Sequence, residues 1–556
     1  MVRIKSVFII FFTVISASLR AQFVPVHIYN SGVNAFVDEI ANEGIIDINS
    51  VIKPYGRNEI AGWLLKADSL QSQLNKRQQY ELGLYLDEFD DSHRYVRKTA
   101  WAKKGNGIVL SLLPPVFRYN DKKSSFIFRP VAGYEQTIYD GLPFYQRYWG
   151  AEMFFTIGKW SFYSSLRDYY QQREVTAMPG YLVPDPGGNY KINNSGRAGG
   201  DYSEMRGGFF YSWKWGRIGL VKDHVQWGDN YNGSTILSGR NPSFPMIQLQ
   251  MKPFKWIDFQ YFHGWLVSEV IDSSTSYYSQ PGRYRGIYQP KYMAANMLTI
   301  IPWKKFHISL GNSIIYSDKS LMPVYLIPIL FYKSVDHTIN HGISNENSQM
   351  FLNISTRNLK HMHFYTTLFI DEFSIRRISD KNRYNFFAMR WGAGINNWPL
   401  KNLSFTGEYT QVFPIVYKHN IPSLTYASNQ YNLGYYSGDN STDLNITLGY
   451  KLPCGVHLDA YFGWLIHGID HQYVLGTNAD INGLLTGGKT FERNRLGLNA
   501  GYFVTAALIV NAGVEYSKTT GYAKAGHSEA EYLEMYTPSY LWGEKLLWNF
   551  GFKYGF

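Results

Sequence analysis

The chain has 556 residues, and its 54 Lys and Arg against 43 Asp and Glu give a net charge of +11. A single cysteine, Cys454, excludes an intramolecular disulfide framework, and a mild basic excess on an exported chain argues against nucleic acid as a partner. Aromatic residues reach 17%, with 45 Tyr, more than a compact soluble domain needs.

The first residues, MVRIKSVFIIFFTVISASLRA, set Arg3 and Lys5 before an apolar run from Val7 to Ile15 and small residues before Ala21. That is the layout of a secretory signal peptide over 1–21. Three of the 54 basic residues fall in it, so the mature chain carries about +8. After it, no stretch approaches the roughly 20 apolar residues of a transmembrane helix.

Residues 22–97 read as a small helical module. Val33, Phe36, Val37, Ile40 and Ala41 follow helical spacing over 31–43, and Gly44 is placed to end that helix. Further helices are expected over 58–74, with Ile60, Ala61, Leu64 and Leu65, and over 76–89. The run IANEGIIDINSVIKPYGRNEIAGWL resembles a surface-layer-homology segment, which implies peptidoglycan as a partner; the plainer reading is a periplasmic cap or lumen plug. A linker is expected over 98–125.

From 126 to 556 the pattern changes to period two. Trp160, Phe162, Ser164 and Leu166 alternate with Ser161, Tyr163, Ser165 and Arg167; Leu444, Ile446, Leu448 and Tyr450 alternate with Asn445, Thr447 and Lys451. The last strand sets Leu546, Trp548, Phe550, Phe552, Tyr554 and Phe556 on one face. Such strands face lipid on one side and a polar lumen on the other. Short connections such as GKW, KPFKW, PWKKF and LPCGV separate longer polar ones over 135–147, 171–204, 269–291, 317–347, 374–383, 414–441, 467–489 and 517–544. The reading is therefore an all-β transmembrane barrel of about 18 antiparallel strands, or 20 if residues 421–450 hide a hairpin. Residues 496–516 keep their phase with no visible turn. Bacterial outer-membrane barrels put short turns in the periplasm and long loops outside.

One long connection, WGDNYNGSTILSGRNPSFP over 227–245, is expected to be an extracellular or lumen-capping loop. With the leader, the helical module and the barrel, its Trp227-Gly228 followed by Gly233, Ser234, Ile236, Leu237, Ser238, Asn241, Pro242 and Pro245 resembles the Wzi family of capsule-assembly outer-membrane proteins. The resemblance implies a barrel closed by its helical domain and loops, acting as a lectin that holds capsular polysaccharide at the surface, with no reaction and no cofactor. The chain departs from that pattern in its loop lengths and around IKPYGRNEIAGW.

Sugars offer ring faces to aromatic side chains and hydroxyls to amides and carboxylates, and acidic sugars pair with guanidinium. Trp227, Asp229, Asn230, Arg240 and Asn241 supply that mixture in one loop, and Arg283, Tyr284, Arg285 and Tyr288 in the next, making them the candidate site for an acidic or neutral surface polysaccharide. Catalysis and metal chemistry are poorly motivated. His361 and His363 lack further ligands, and Asp371-Glu372 and Asp90-Asp91 are adjacent carboxylates at element ends. The competing readings are a porin or transporter, and a structural partner in secretion or gliding motility.

Overall fold

In the computed structural model the described residues are all except 1–21, 91–99, 105–106, 122, 191–199, 318–319, 340–345, 374, 376–384, 472–487 and 556. The expected signal peptide and the terminal Phe556 lie outside them. Three helices come first: α1 (Ser31–Asn42), α2 (Arg57–Ser69) and α3 (Lys76–Phe89). Eighteen strands follow: β1 (Ser124–Tyr139), β2 (Leu142–Ile157), β3 (Trp160–Gln171), β4 (Gly200–Trp213), β5 (Gly216–Asp223) and β6 (Phe244–Met251); β7 (Ile257–Ile271), β8 (Tyr288–Trp303), β9 (Phe306–Tyr316), β10 (Glu346–Thr356), β11 (Met362–Glu372) and β12 (Phe386–Asn396); β13 (Leu403–Val412), β14 (Ser441–Lys451), β15 (Val456–His467), β16 (Phe491–Thr505), β17 (Leu508–Gly521) and β18 (Gly543–Tyr554). Each pairs antiparallel with the next, and β18 closes on β1 from Leu547↔Tyr139 to Tyr554↔Ala132.

The wall follows the alternation. Leu166, Trp391, Leu448, Leu498 and Trp548 are exposed on its outside, whereas Arg167, Arg390 and Glu408 are buried on its inside. An apolar outer band with polar residues inside is what a lipid-spanning barrel requires. The count is 18, not 20: ahead of β14, residues 421–440 add only a two-residue ladder, Ala427–Ser428 with Tyr431–Asn432, outside the barrel sheet.

Four expected connections turn out differently. Residues 135–147 form no long loop, because Asp140 and Gly141 both take left-handed backbone (φ 48 and 76) and join β1 to β2 in a two-residue hairpin. The hidden turn within 496–516 is Ala506-Ala507, between β16 and β17. The expected linker 98–125 carries three short strands, Ala100–Lys104, Ile108–Ser111 and Phe117–Asn120. Phe117–Asn120 pairs with residues 125–128 of β1, the part of that edge which β18 does not reach, so a strand edge that would otherwise stay open is covered. Within the loop expected over 317–347, residues 320–339 do not stand clear of the barrel. Its helix α4 (Tyr332–Ile339) and the turn before it lie on the outer wall, where Tyr332 N–H donates to Asn312 on β9 (2.9 Å).

Leu498 sits midway along β16 and faces outward. Leu498→Arg is expected to lower stability in lipid vesicles by roughly 2–4 kcal/mol, read by urea unfolding, whereas Ser274→Arg in an exposed loop leaves it unchanged.

Candidate functional site

The helices form a plug at the short-turn end of the lumen. Val33, Phe36, Val37 and Ile40 of α1 are buried against Ile60 and Leu64 of α2 and Leu82 and Leu86 of α3. Asn75 caps α3 by accepting from Gln78 N–H, and the Gln78 side chain accepts from Asn75 N–H in return. Gly44 takes φ +81 just past α1, as its position in the sequence suggested.

Buried ion pairs fix this plug to the wall. Glu39 on α1 holds Arg77 on α3 and Lys451 at the end of β14 (2.9 Å for the lysine). Glu81 holds Arg77 (2.9 Å) and His457 (2.8 Å). Glu88, near the end of α3, meets Arg129 of β1 and Arg57 of α2. Arg357, in the β10–β11 turn, donates to Asp38 (2.5 Å), Asn42 (2.8 Å) and Ser50 (2.9 Å). Burial raises the pKa of Asp38, and Arg357 and then His363 more than offset it, leaving the carboxyl below its ordinary range. Burial acts likewise on Glu39, outweighed by Lys451 and Arg77. Removing one partner of such a pair strands a buried charge.

Residues 227–245 turn into the lumen. Trp227 pairs with Ile52 and Gln226 with Lys53, forming a two-residue ladder between this loop and the segment joining α1 to α2. The Trp227 ring lies edge-on to Phe262 (5.2 Å) and Phe351 (6.0 Å) of the wall. Asp229 accepts from Ser50 and from Asn353 (2.7 Å), and Asn230 donates to the nearby Gly228 carbonyl (2.7 Å). Arg240 donates to the carbonyls of Asp185 (2.9 Å) and Tyr181 (3.1 Å) and stands over the Tyr431 ring; Asn241 donates to the Pro242 carbonyl (2.9 Å). Trp227, Asp229, Arg240 and Asn241 are all buried. These groups, expected from the sequence to meet a glycan, direct the contacts above to the chain itself and hold the loop inside the barrel. Gly228 permits the inward turn: its φ is +99, and a Cβ there would stand 2.6 Å from Ser234 Oγ.

The second expected cluster lies elsewhere. Arg283, Tyr284, Arg285 and Tyr288 are exposed at the long-loop end, the first three on a hairpin in which Tyr277–Ser279 pairs with Arg283–Arg285. The two clusters do not form one site. His361 and His363 also part: His361 occupies the turn with φ +72, while His363 faces inward and bonds to Ser355 (2.9 Å). Of the surface-layer-like run, Ile45, Ile46, Ile48 and Val51 are buried, whereas Asp47, Asn58 and Gly62 are exposed.

What the plug leaves open is a lumen cavity of about 420 Å³ beneath residues 172–190 and 522–542. Sequence reasoning missed it, since its residues come from both ends of the chain. Tyr169 and Tyr202 stack at 4.7 Å with planes 3° apart, and Arg167 lies over the Tyr148 ring at 5.5 Å. The Tyr148 hydroxyl is buried and bonds to no described residue. Opposite, Arg493 (3.1 Å) and Tyr461 (2.7 Å) donate to Glu515, and Arg495 donates to Asn445 (3.2 Å). Gln146 and Gln171 bond at 2.8 Å on the same wall. Glycines in the strands make room for the rings; a Cβ at Gly133 would stand 2.2 Å from the Tyr148 ring. Along β1 the lining begins at Gly133. The next inward residues toward the short turns, Val131 and Arg129, are buried, and Arg129 meets Glu88, so the plug forms the floor.

At the cavity's edge His27, Glu204 and His224 bring three ligand atoms within 4.8 Å, the one such group among the described residues. His224 Nε2 is 2.5 Å from Glu204, and His27 Nδ1 accepts from Tyr29 N–H (3.2 Å), which leaves the His27 proton on Nε2, facing Glu204 at 3.8 Å. Glu204 thus accepts from His224 Nε2, while His224 Nδ1 is buried and bonds to no described residue. Burial, then Arg206 and Arg167, pull His27 down to about 3.

These features define a class: an outer-membrane-type barrel closed by its own N-terminal helices and one inturned loop, with an aromatic, cation-bearing cavity at the long-loop end. No protein-family model matches the sequence, and no curated protein does. Among solved structures the fold is similar to Wzi of Escherichia coli, an outer membrane protein involved in group 1 capsule assembly and described as a carbohydrate-binding β-barrel. The two align with a TM-score of 0.56 at 12% identity over 96% of this chain and 100% of that one. OpdK of Pseudomonas aeruginosa with vanillate aligns over 78% of this chain and 98% of its own at 8% identity and a TM-score of 0.42, too low to add to the comparison. The likeness to Wzi is one of fold.

Because Asp38 and Glu39 sit below their ordinary pKa, their contribution to docking is complete above an unfolded value of about 4 and is lost as pH falls through the lower folded values. Glu43 moves the other way, raised by burial and by Glu39, so its protonation costs the plug nothing. Amide protection factors across α1, corrected for the intrinsic pH dependence of exchange, should be equal at pH 7 and 5 and fall only below about pH 4; loosening already between 7 and 5 would contradict the assignment.

Proposed function

We propose that this protein is a non-enzymatic outer-membrane barrel that binds surface polysaccharide and holds or assembles a capsule at the cell surface. In this reading the long loops face outward, the short turns and plug face the periplasm, and the lumen cavity takes a segment of the glycan. The observation that carries it is the cavity itself. A barrel wide enough to conduct is floored by its own helices, and what remains presents stacked tyrosines beside arginines, amides and a carboxylate. Ligand pockets commonly span about 300–1,000 Å³ with a few convergent polar groups, and about 420 Å³ lies in that range. The fold it shares with a carbohydrate-binding barrel supports the reading. The exposed hairpin with Arg283, Tyr284, Arg285 and Tyr288 is a second contact surface for a chain entering from outside.

Tyr169→Ala and Arg495→Ala should each weaken binding of acidic polysaccharide about tenfold, the equivalent of roughly 1.4 kcal/mol. Affinity electrophoresis reads this, with heat-modifiable migration confirming that the barrel still forms. If Arg285→Ala alone weakens binding, the glycan sits on the hairpin and not in the lumen. Deleting the protein should release polysaccharide into the medium. In planar bilayers the intact protein should show no sustained large conductance; steady porin-like currents would replace this function with transport.

A further inference from the structure

The outer wall carries a feature that glycan binding does not use. Counted from the inward-facing Asn353 and Ser309, Asn312 on β9 points outward, as does its partner Asn296 at the middle of β8. Outward asparagines at mid-strand are costly against hydrocarbon unless they find partners. The β9–β10 loop supplies them. Asn296 donates to the carbonyls of Pro328 (2.8 Å) and Leu330 (2.9 Å), and Asn312 donates to Asn296 (2.7 Å) while accepting from Tyr332 N–H (2.9 Å). Beside Asn296 in register, Tyr261 donates to the Tyr325 carbonyl (2.8 Å), and Tyr325 and Tyr332 are buried against Ile314 and Tyr316. The loop is thus strapped down the outside of the barrel. Ile327, Ile329 and Phe331 of the strap stay exposed, Ile329 to 73%.

Between the tip of this strap and the wall lies an apolar groove of about 390 Å³, lined by Met251, Ile257, Phe259, Leu298, Ile329 and Phe331. It opens sideways, where an apolar wall borders acyl chains. Two short turns run beside its lower end. Phe254 and Trp256 stack at 5.7 Å in one, Trp303 and Phe306 at 4.5 Å in the next, forming part of an interfacial aromatic girdle. Lys255 and Lys304 sit exposed in those same turns, and no described carboxylate pairs with either.

We propose that this groove holds an acyl chain of an anionic phospholipid from the leaflet at the short-turn end, with the lipid phosphate on Lys255 and Lys304. This rests on the membrane orientation proposed above. An apolar slot on the outer wall that reaches Pro253 and Ile257, on either side of Lys255, with Lys304 in the neighbouring short turn, matches a phospholipid in both parts: chain and charge. Each lysine near a membrane surface adds attraction for anionic lipid, so the pair should give a preference of roughly tenfold or more over a zwitterionic lipid.

Native mass spectrometry of the full-length protein, released from mixed phosphatidylglycerol and phosphatidylcholine nanodiscs, tests this. The wild type should retain one phosphatidylglycerol at least about tenfold in preference to phosphatidylcholine. Lys255→Ala with Lys304→Ala should abolish the preference while polysaccharide binding stays unchanged, and Leu298→Trp, which fills the groove, should abolish the retained lipid. Equal retention of the two lipids by the wild type, or an unchanged preference in the double lysine variant, would overturn the proposal. Should Leu298→Trp fail to show heat-modifiable migration, the lysine variant decides alone. A protein that fractionates with the outer membrane yet shows no preference sinks the lipid site and leaves the glycan reading standing; one absent from that membrane sinks the orientation.

Discussion

Eighteen strands enclose more space than the inward side chains of the wall can fill, and the rest of this structure answers to that constraint. A wide lumen either conducts or is occupied. Here it is occupied by three helices and by the inturned loop 227–245, which meet at the ladder of Ile52 with Trp227. Because these fillers are polar as well as apolar, their buried charges need partners, and the wall provides Arg129, Arg357, Lys451 and His457 at the matching heights. Plug and wall are therefore specified together.

The filling is uneven, and that unevenness makes the candidate site. The Trp227 loop packs against β7 and β10. The sector spanned by β1 to β4 and β15 to β18 is left with a cavity, and there the inward residues are tyrosine, arginine and amide, not the aliphatic groups that pack a core. Tyr169 and Tyr202 stack on each other, leaving ring faces and edges for a sugar, while Glu515 orients Arg493 and Tyr461 from across the lumen. The outer wall shows the same logic in reverse: a polar patch facing outward is covered by a loop instead of by lipid.

Much of the fold was legible in the sequence because a lipid-facing wall forces strict alternation, and alternation survives in strands as far apart as β3 and β18. The strand number followed from it. Turns differ in how they show: Ala506-Ala507 carries no turn residue, whereas Asp140-Gly141 is a hairpin signature set inside a tyrosine-rich run whose polarity reads as loop. The site was less legible. A loop rich in Gly and Asn reads alike whether it projects outward or folds inward, and what sends this one inward is a set of partners at Ser50, Asn353 and Glu408, far away in sequence. The cavity residues are individually ordinary; only barrel closure, β18 against β1, brings Asn549 beside Thr137 and Lys553 beside Gly133. The apolar strap over 320–339 looked like a surface loop, and its one local sign was the pair Asn296 and Asn312 on a face otherwise apolar.

The most direct test is a structure of the intact protein with oligosaccharides made by partial depolymerisation of the polysaccharide from its own cells. Sugar density between the Tyr169–Tyr202 stack and Arg495, above a plug still docked through Glu39 and Glu88, is the predicted result. An empty lumen with sugar only along the Arg283–Arg285 hairpin, or a plug displaced to leave an open pore, would contradict the account.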